Sequence, residues 1–230
     1  MKIIKAGYNV LTDLGGSAGV DMLKHIEKIG RTCYKSEDKI TNTSCLTFVK
    51  GLITRGHEAM IEHASITVKL TCDRGVSHEV VRHRIASYAQ ESTRYCNYSK
   101  DKFDSGVTYI DIENTIKNDV AMQKGLEDGT LTHESLALIV DEWVEACRDA
   151  ERHYLRMIEL GASPNVARSV LNNSTKTEIN VTMNLREWRA FFKLRTEIVA
   201  HPAMREITIP LLNSLKAYVP VIFDDIEAVS

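Results

Sequence analysis

The fold class this sequence predicts is α+β: a helix-rich single domain over residues 1–230, with a small, mostly antiparallel sheet and long helices. Three observations carry that expectation. Strand-like stretches are few and do not alternate regularly with helices, which argues against a doubly wound sheet. "SITVKLTC" (65–72) alternates cleanly, with Ile66, Val68, Leu70 and Cys72 on one face and Ser65, Thr67, Lys69 and Thr71 on the other. The stretch from Thr132 to about Leu160 sustains a helical apolar stripe: Leu136, Ile139, Val140, Trp143, Val144, Cys147, Tyr154 and Ile158.

Taken in order, "MKIIKAGYNVL" reads as an opening strand closed by the Gly15–Gly16 turn, and Asp21 to Gly30 as a short helix. Ser44 caps an apolar helix through Leu52 that stops at Gly56. After the alternating strand, with His63 placed on its polar face, Asp73 caps a helix "RGVSHEVVRHR". Residues 100 to 131 are polar and punctuated by glycine, with one strand at "VTYIDI". Beyond the long helix come a helix after Pro164 ("NVARSVL"), a strand in "KTEINVTMN" and two closing helices, "LREWRAFFKLRTEIVA" and "AMREITIPLLNSLKAY". Pro210 lies inside the last and is expected to kink it.

A content of 43% hydrophobic and 26% charged residues is that of an ordinary globular protein. A formal net charge of −2 supplies no global field for nucleic acid or an anionic membrane, so any basic site must be local. The five cysteines are scattered and form no C-x-x-C pair, which suits a reducing compartment and a cytoplasmic protein. No signal peptide and no membrane-length apolar run is recognised.

One stretch is unusual. "RHRIASYAQESTRY" (82–95) gathers Arg82, His83, Arg84 and Arg94 around polar residues, with no lysine. Arginine offers a planar fork suited to phosphates and flat heterocycles, where lysine is a point charge. No metal site is expected: on a helix, His78 and His83 lie five residues apart, about 140° around the axis, and cannot share an ion. Arg195 is a second oddity, because Leu185, Trp188, Phe192, Arg195 and Val199 follow one another at spacings of a single apolar stripe. A charge there requires either a structural partner, such as Glu178 or Glu62, or a ligand. Asn184 is a competent helix N-cap with Glu187 three residues on. Ser92 and Cys96 lack the base-and-orienter pattern of an activated nucleophile.

"RHR" followed by seven residues and a serine (Arg82, His83, Arg84 … Ser92) resembles the signature of the flavin-dependent thymidylate synthases. "HEAMIEHASITV", "DRGVSHEVVRHRIASYAQESTRY", "ARSVL" and "TMNLREWRAFFKLR" resemble further family segments in order, spanning about residues 57 to 207. The resemblance implies a homotetramer whose active sites are shared between subunits. It also implies FAD as cofactor, dUMP as substrate, methylenetetrahydrofolate as carbon donor and NADPH as reductant. By position it assigns His63, Ser65, Arg82, His83, Arg84, Gln90, Asn184 and Arg186 to FAD. Glu79, Arg82, Gln90, Glu91, Ser92, Thr93, Arg94 and Arg168 fall to dUMP, with residues 90–94 as a substrate loop and Arg195 at the uracil edge as the catalytic group. Gln90 where many members carry Glu, Ala190 where some carry Asn, and "NNSTKTE" in place of a Pro-containing turn depart from the pattern. A nucleic-acid-binding module, or a flavin-binding domain without synthase activity, are the rival readings.

Overall fold

The computed structural model describes residues 1–228. In chain order its elements are β1 (Lys2–Ile4), β2 (Gly7–Val10), α1 (Ala18–Thr32), α2 (Ser44–Thr54), β3 (Ser65–Asp73), α3 (Arg74–Val80), β4 (Ala86–Gln90) and β5 (Thr108–Ile110). There follow α4 (Glu113–Asn118), α5 (Val120–Asp128), α6 (His133–Glu159), the single turn α7 (Pro164–Ala167), β6 (Lys176–Asn184), α8 (Leu185–Arg195) and α9 (Pro202–Tyr218). The architecture is α+β and helix-rich, as expected. Its main sheet is antiparallel in the order β2-β3-β6-β4, beside a separate parallel pair, β1-β5.

The expected opening strand is therefore two. Its first half pairs with β5 and its second with β3, so the halves belong to different sheets. Alternation holds in β3, where Ile66, Val68, Leu70 and Cys72 are buried. They share one apolar layer with Ile179, Val181 and Met183 of β6 and with Trp188, Phe191 and Phe192 of α8. A fully buried aromatic side chain contributes about 2–3 kcal/mol, so α8 is held to the sheet chiefly by its rings. Trp188 also donates its indole N–H to Ile66 O (3.0 Å). α1 starts three residues before the expected Asp21 and ends at Thr32, just past Gly30. A Cβ there would meet the Phe48 ring at 2.8 Å, so this glycine serves close helix packing.

α6 begins as expected, with Thr132 and Ser135 forming a reciprocal capping box. Its expected buried side is only partly buried. Cys147 and Tyr154 are enclosed in a second cluster with Tyr98, Val107, Tyr109 and Ala167, whereas Leu136, Val140, Trp143, Val144 and Ile158 are half-buried and Ile139 is 37% exposed. The Gly-punctuated region holds two helices, α4 and α5, besides its strand. "NVARSVL" makes one α-turn and then a 3₁₀ turn, Arg168–Val170. Among the described residues no helix is long and apolar enough to cross a membrane.

Candidate active site

α3 starts where expected, with the Asp73 carboxylate accepting from Val76 N (2.6 Å), but ends at Val80, before the Arg-His-Arg run. Arg82 N and His83 N donate to Glu79 O and Val80 O, both at 3.2 Å, tightening the last turn. The Tyr88 hydroxyl then donates to the carbonyls of Val80 and His83. That second partner fixes the turn, and the chain leaves it as β4, a strand absent from the sequence reading. Gln90 is thus the last residue of a strand and not the start of a loop.

The turn points His83 inward and its flanking arginines outward. Arg82 and Arg84 are exposed and make no side-chain ion pair or hydrogen bond among the described residues. His83, with only 9% of its side chain exposed, meets Phe191 edge-on at 4.9 Å. The Arg195 side chain reaches it from the last turn of α8: Nε donates to His83 Nε2 (3.1 Å), Nη1 to Glu79 Oε2 (2.6 Å) and Nη2 to Glu79 O (3.1 Å). On the far side of the imidazole, Nδ1 lies 3.3 Å from Glu187 Oε1. Burial, then Arg195 and Arg82, push the imidazole down to about 4. The ring is therefore neutral at pH 7, and its contact with Glu187 is a hydrogen bond rather than an ion pair.

Arg195 thus has a partner, but neither one expected from the sequence. Glu62 pairs with Arg186 (2.6 Å) and Glu178 with Lys69 and Lys176. Val199 is 85% exposed and lies beyond the end of α8, so the apolar stripe stops at the arginine. Asn184 caps α8 as expected, its Oδ1 accepting from Glu187 N (2.8 Å).

The proposed flavin positions fall into two groups. Ser65 and Asn184 are register partners at the shared end of β3 and β6, and Ser65 is exposed. His63, also exposed, ends the 3₁₀ turn Glu58–His63 instead of standing on the strand's polar face. Arg186 is half exposed but tied to Glu62. A cleft of about 360 Å³ joins Asn184, Arg186, Glu187 and Ala190 to Ile85, Glu58 and Glu62.

The substrate-loop residues turn elsewhere. The Gln90 amide donates to Ser77 Oγ (3.0 Å) and Thr177 Oγ1 (3.2 Å). Glu91 accepts from Lys176 Nζ (2.8 Å) and the Tyr98 hydroxyl (2.9 Å). Ser92 Oγ accepts from Arg94 N (3.3 Å), and the Arg94 guanidinium lies over the Tyr95 ring. Thr93 is buried and accepts from Arg168 Nη1 (3.2 Å). Arg168 and Thr93 line a cavity of about 370 Å³ with Arg74, His78, Asn172, Asn173 and Thr175, and no carboxylate lines it. The hydroxyl of buried Thr175 and the side-chain carbonyl of Asn172 have no hydrogen-bond partner there. Two arginines with no opposing acid and orphaned polar atoms suit an anionic, hydrogen-bonding ligand. Arg74, Asn172 and Thr175 carried no signal in the sequence, since each reads as an ordinary helix-start or turn residue. Among the described residues no hydrogen bond joins this cavity to the Arg195 cluster.

The structure is thus an α+β protein whose antiparallel sheet carries an arginine-rich turn, a largely buried arginine against a neutral histidine, and a cavity lined by two arginines and no carboxylate. Residues 20–221 match the family model described as thymidylate synthase complementing protein, and the chain belongs to that family. It is 32% identical over 202 residues to the flavin-dependent thymidylate synthase of Geobacter sulfurreducens, covering 85% of this chain and 78% of that one. To the flavin-dependent thymidylate synthase of Mycolicibacterium vanbaalenii it is 33% identical over 233 residues, covering 95% and 83%. The fold is also that of the UMP/dUMP methylase PolB from Streptomyces cacaoi, whose crystal structure holds 5-Br dUMP: TM-score 0.76 at 20% identity, covering 97% of this chain and 96% of that one.

Proposed function

We propose that this protein is a flavin-dependent thymidylate synthase that converts dUMP to dTMP with methylenetetrahydrofolate as carbon donor and NADPH as reductant through FAD, using no nucleophile of its own. The observation that carries this reading is the Arg195 cluster. A guanidinium with 11% of its side chain exposed is held through Nε by a neutral ring, while its two Nη groups rest on Glu79. Uracil C5 is a weak nucleophile until electron density moves into the ring. Donors aimed at the imide edge stabilise the charge that then develops. Arg195 is placed for that task once a pyrimidine takes Glu79's position at its Nη groups.

The residues present fit a flavin dinucleotide. Arg82 and Arg84 are open to a diphosphate, Ile85, 67% exposed beside them, lines the cleft with Asn184, and Ser65 is Asn184's register partner on β3. Arg186 joins only by exchanging its Glu62 partner. The bound cofactor supplies hydride chemistry that side chains lack. The electron count agrees: a transferred methylene needs two electrons and a proton to become methyl. With NADPH supplying them, tetrahydrofolate leaves with its own hydrogens and uracil C5 gives up its proton. Arg168, Thr93 and Arg74 would hold dUMP in the cationic cavity, orienting the ring by its nucleotide tail.

Reading the cationic cavity and the Arg195 cluster as contributed by different chains, we propose a homotetramer in which one copy's cavity faces another's Arg195. Exposed Leu138, Ile139 and Tyr95 suit burial against a second copy. Purified protein should be yellow, bind about one FAD per chain and form dTMP only with all three substrates, which spectroscopy and product analysis check. A colourless protein that neither takes up FAD nor makes dTMP sinks the reading. Bound flavin without dUMP-dependent NADPH oxidation would leave a flavoprotein of another kind.

A further inference from the structure

Glu187 enters the sequence reading only as a companion of the Asn184 cap, and nothing above gives it a part in the chemistry. Its backbone N–H is used by that cap, but its carboxylate turns inward, 14% exposed, to His83 Nδ1 at 3.3 Å. The geometry dictates which ring nitrogen carries the proton. A guanidinium can only donate, so His83 Nε2, 3.1 Å from Arg195 Nε, must be the acceptor. A neutral ring that accepts at Nε2 holds its single proton at Nδ1, and that proton needs an acceptor of its own. Glu187 Oε1 is that acceptor. Among the described residues no other group is hydrogen-bonded to Nδ1; Phe191 only packs edge-on against the ring.

We infer that Glu187 is a positioning residue for the thymidylate synthase reaction: it holds the proton at His83 Nδ1, so that Nε2 pins Arg195 Nε and the two Nη groups stay aimed at the pyrimidine. With the proton on Nε2 instead, two N–H groups would oppose one another and the guanidinium would turn away. Glu79 occupies the Nη groups in the ligand-free protein, and incoming substrate displaces it. The device has a division of labour: one carboxylate fixes the imidazole, and the other holds the guanidinium in place until the pyrimidine arrives.

This inference rests on the reading that Arg195 faces uracil, and the two fail separately. Full turnover in Arg195→Ala removes that reading, whatever the state of His83. For the inference itself, the holoenzyme carrying 15N-labelled histidine reports the His83 tautomer directly, with no reference to activity. The wild type should show a proton on Nδ1 and a bare, accepting Nε2. Glu187→Gln keeps an acceptor oxygen and should retain that tautomer, with kcat within about twofold. Glu187→Met keeps the length but no acceptor. It should lose the single tautomer and about tenfold in kcat, with the KM for dUMP changed less than about twofold and flavin content intact. A wild-type ring protonated on Nε2 overturns the inference even if the methionine variant does not fold. So does a methionine variant with wild-type kcat, or a glutamine variant as impaired as the methionine one.

Discussion

Two arginines six residues apart on α8 meet opposite environments. Arg189 is 1% exposed and saturated: Nη1 and Nη2 reach the two oxygens of Asp225 at 2.6 and 2.8 Å, Glu58 accepts from Nε at 3.2 Å, and Ile222 O accepts from Nη1. Arg195 has one carboxylate, itself 29% exposed, and leans on a neutral imidazole. The first fastens the segment after α9 to the core. The second is held with a minimum of charge, and in the proposed reading a ligand replaces its carboxylate. Fixed acids suit a structural cation; an exchangeable acid and a neutral ring are what that reading expects of one kept for a ligand.

The comparison breaks first at Arg195. Arg195→Ala should cut dTMP formation by about 10²–10³-fold, the loss typical of one transition-state donor, while flavin binding and the thermal midpoint stay near wild type. Steady-state assays against flavin content check this, and near-normal turnover would make the residue structural. Arg189→Ala should do the reverse. About 3 kcal/mol of stability is lost with the cavity and the broken pair, since Asp225 stays half exposed and tolerates being left alone. Turnover per correctly folded molecule should be unchanged. Denaturant unfolding separates the two, and an Arg189 variant of normal stability would erase the contrast.

Acid sharpens the difference further. His83 protonates near 6.5 in an unfolded chain but at about 4 in the folded one. Between those values the unfolded state binds the extra proton, so stability falls as pH falls from about 6.5 to about 4 and this contribution then levels off. Its size is on the order of 3 kcal/mol. Asp225 is held below the usual carboxylate range, first by its hydrogen bond from Arg189. Its stabilisation is therefore complete above about 4 and is lost only at lower pH. Burial raises Glu187 and so opposes the His83 slope. The measurement is accordingly the wild-type unfolding free energy minus that of His83→Gln across pH 4 to 7. A flat difference would refute the buried neutral ring.

How much of this was legible in the sequence follows from range. Alternation in β3 and the start of α6 at Thr132 are local signals, and both match the structure. The slot of Arg195 was visible in the helical period, but its partner lies 116 residues earlier and depends on where α3 ends. That end is set by Tyr88, a contact no spacing rule contains. β4 escaped notice because Ala86–Gln90 is an edge strand without alternating apolar bulk. His63 has the parity of a strand residue, yet a 3₁₀ turn intervenes before the strand begins. Arg189 differs in no local way from Arg186, although one is buried and the other half exposed. Of the α6 stripe expected to be buried, only Cys147 and Tyr154 are fully enclosed, because periodicity marks an apolar face without saying how deeply it is covered.

The smallest effect is expected at Cys96, the side chain beside the substrate loop that could be taken for a nucleophile. A thiol attacks as the thiolate, and the environments that favour one are cationic and open. Burial, then the charge of Glu91, raise Cys96 above the usual thiol range; Lys102 and Lys176 pull the other way but do not prevail. No histidine stands among the groups acting on it, and its backbone N–H is occupied by Ser92 O at 2.9 Å. Cys96 packs instead on the cluster under α6, which gives it a structural reason to be there. With Arg195 stabilising the developing anion, attachment at uracil C6 has no task left to perform. Cys96→Ala should therefore keep turnover within about twofold, the range of substitutions away from critical contacts. Intact-mass analysis of the enzyme quenched during turnover should show no nucleotide adduct. An adduct on Cys96, together with an inactive alanine variant that folds normally, would move the chemistry from the arginine to the thiol.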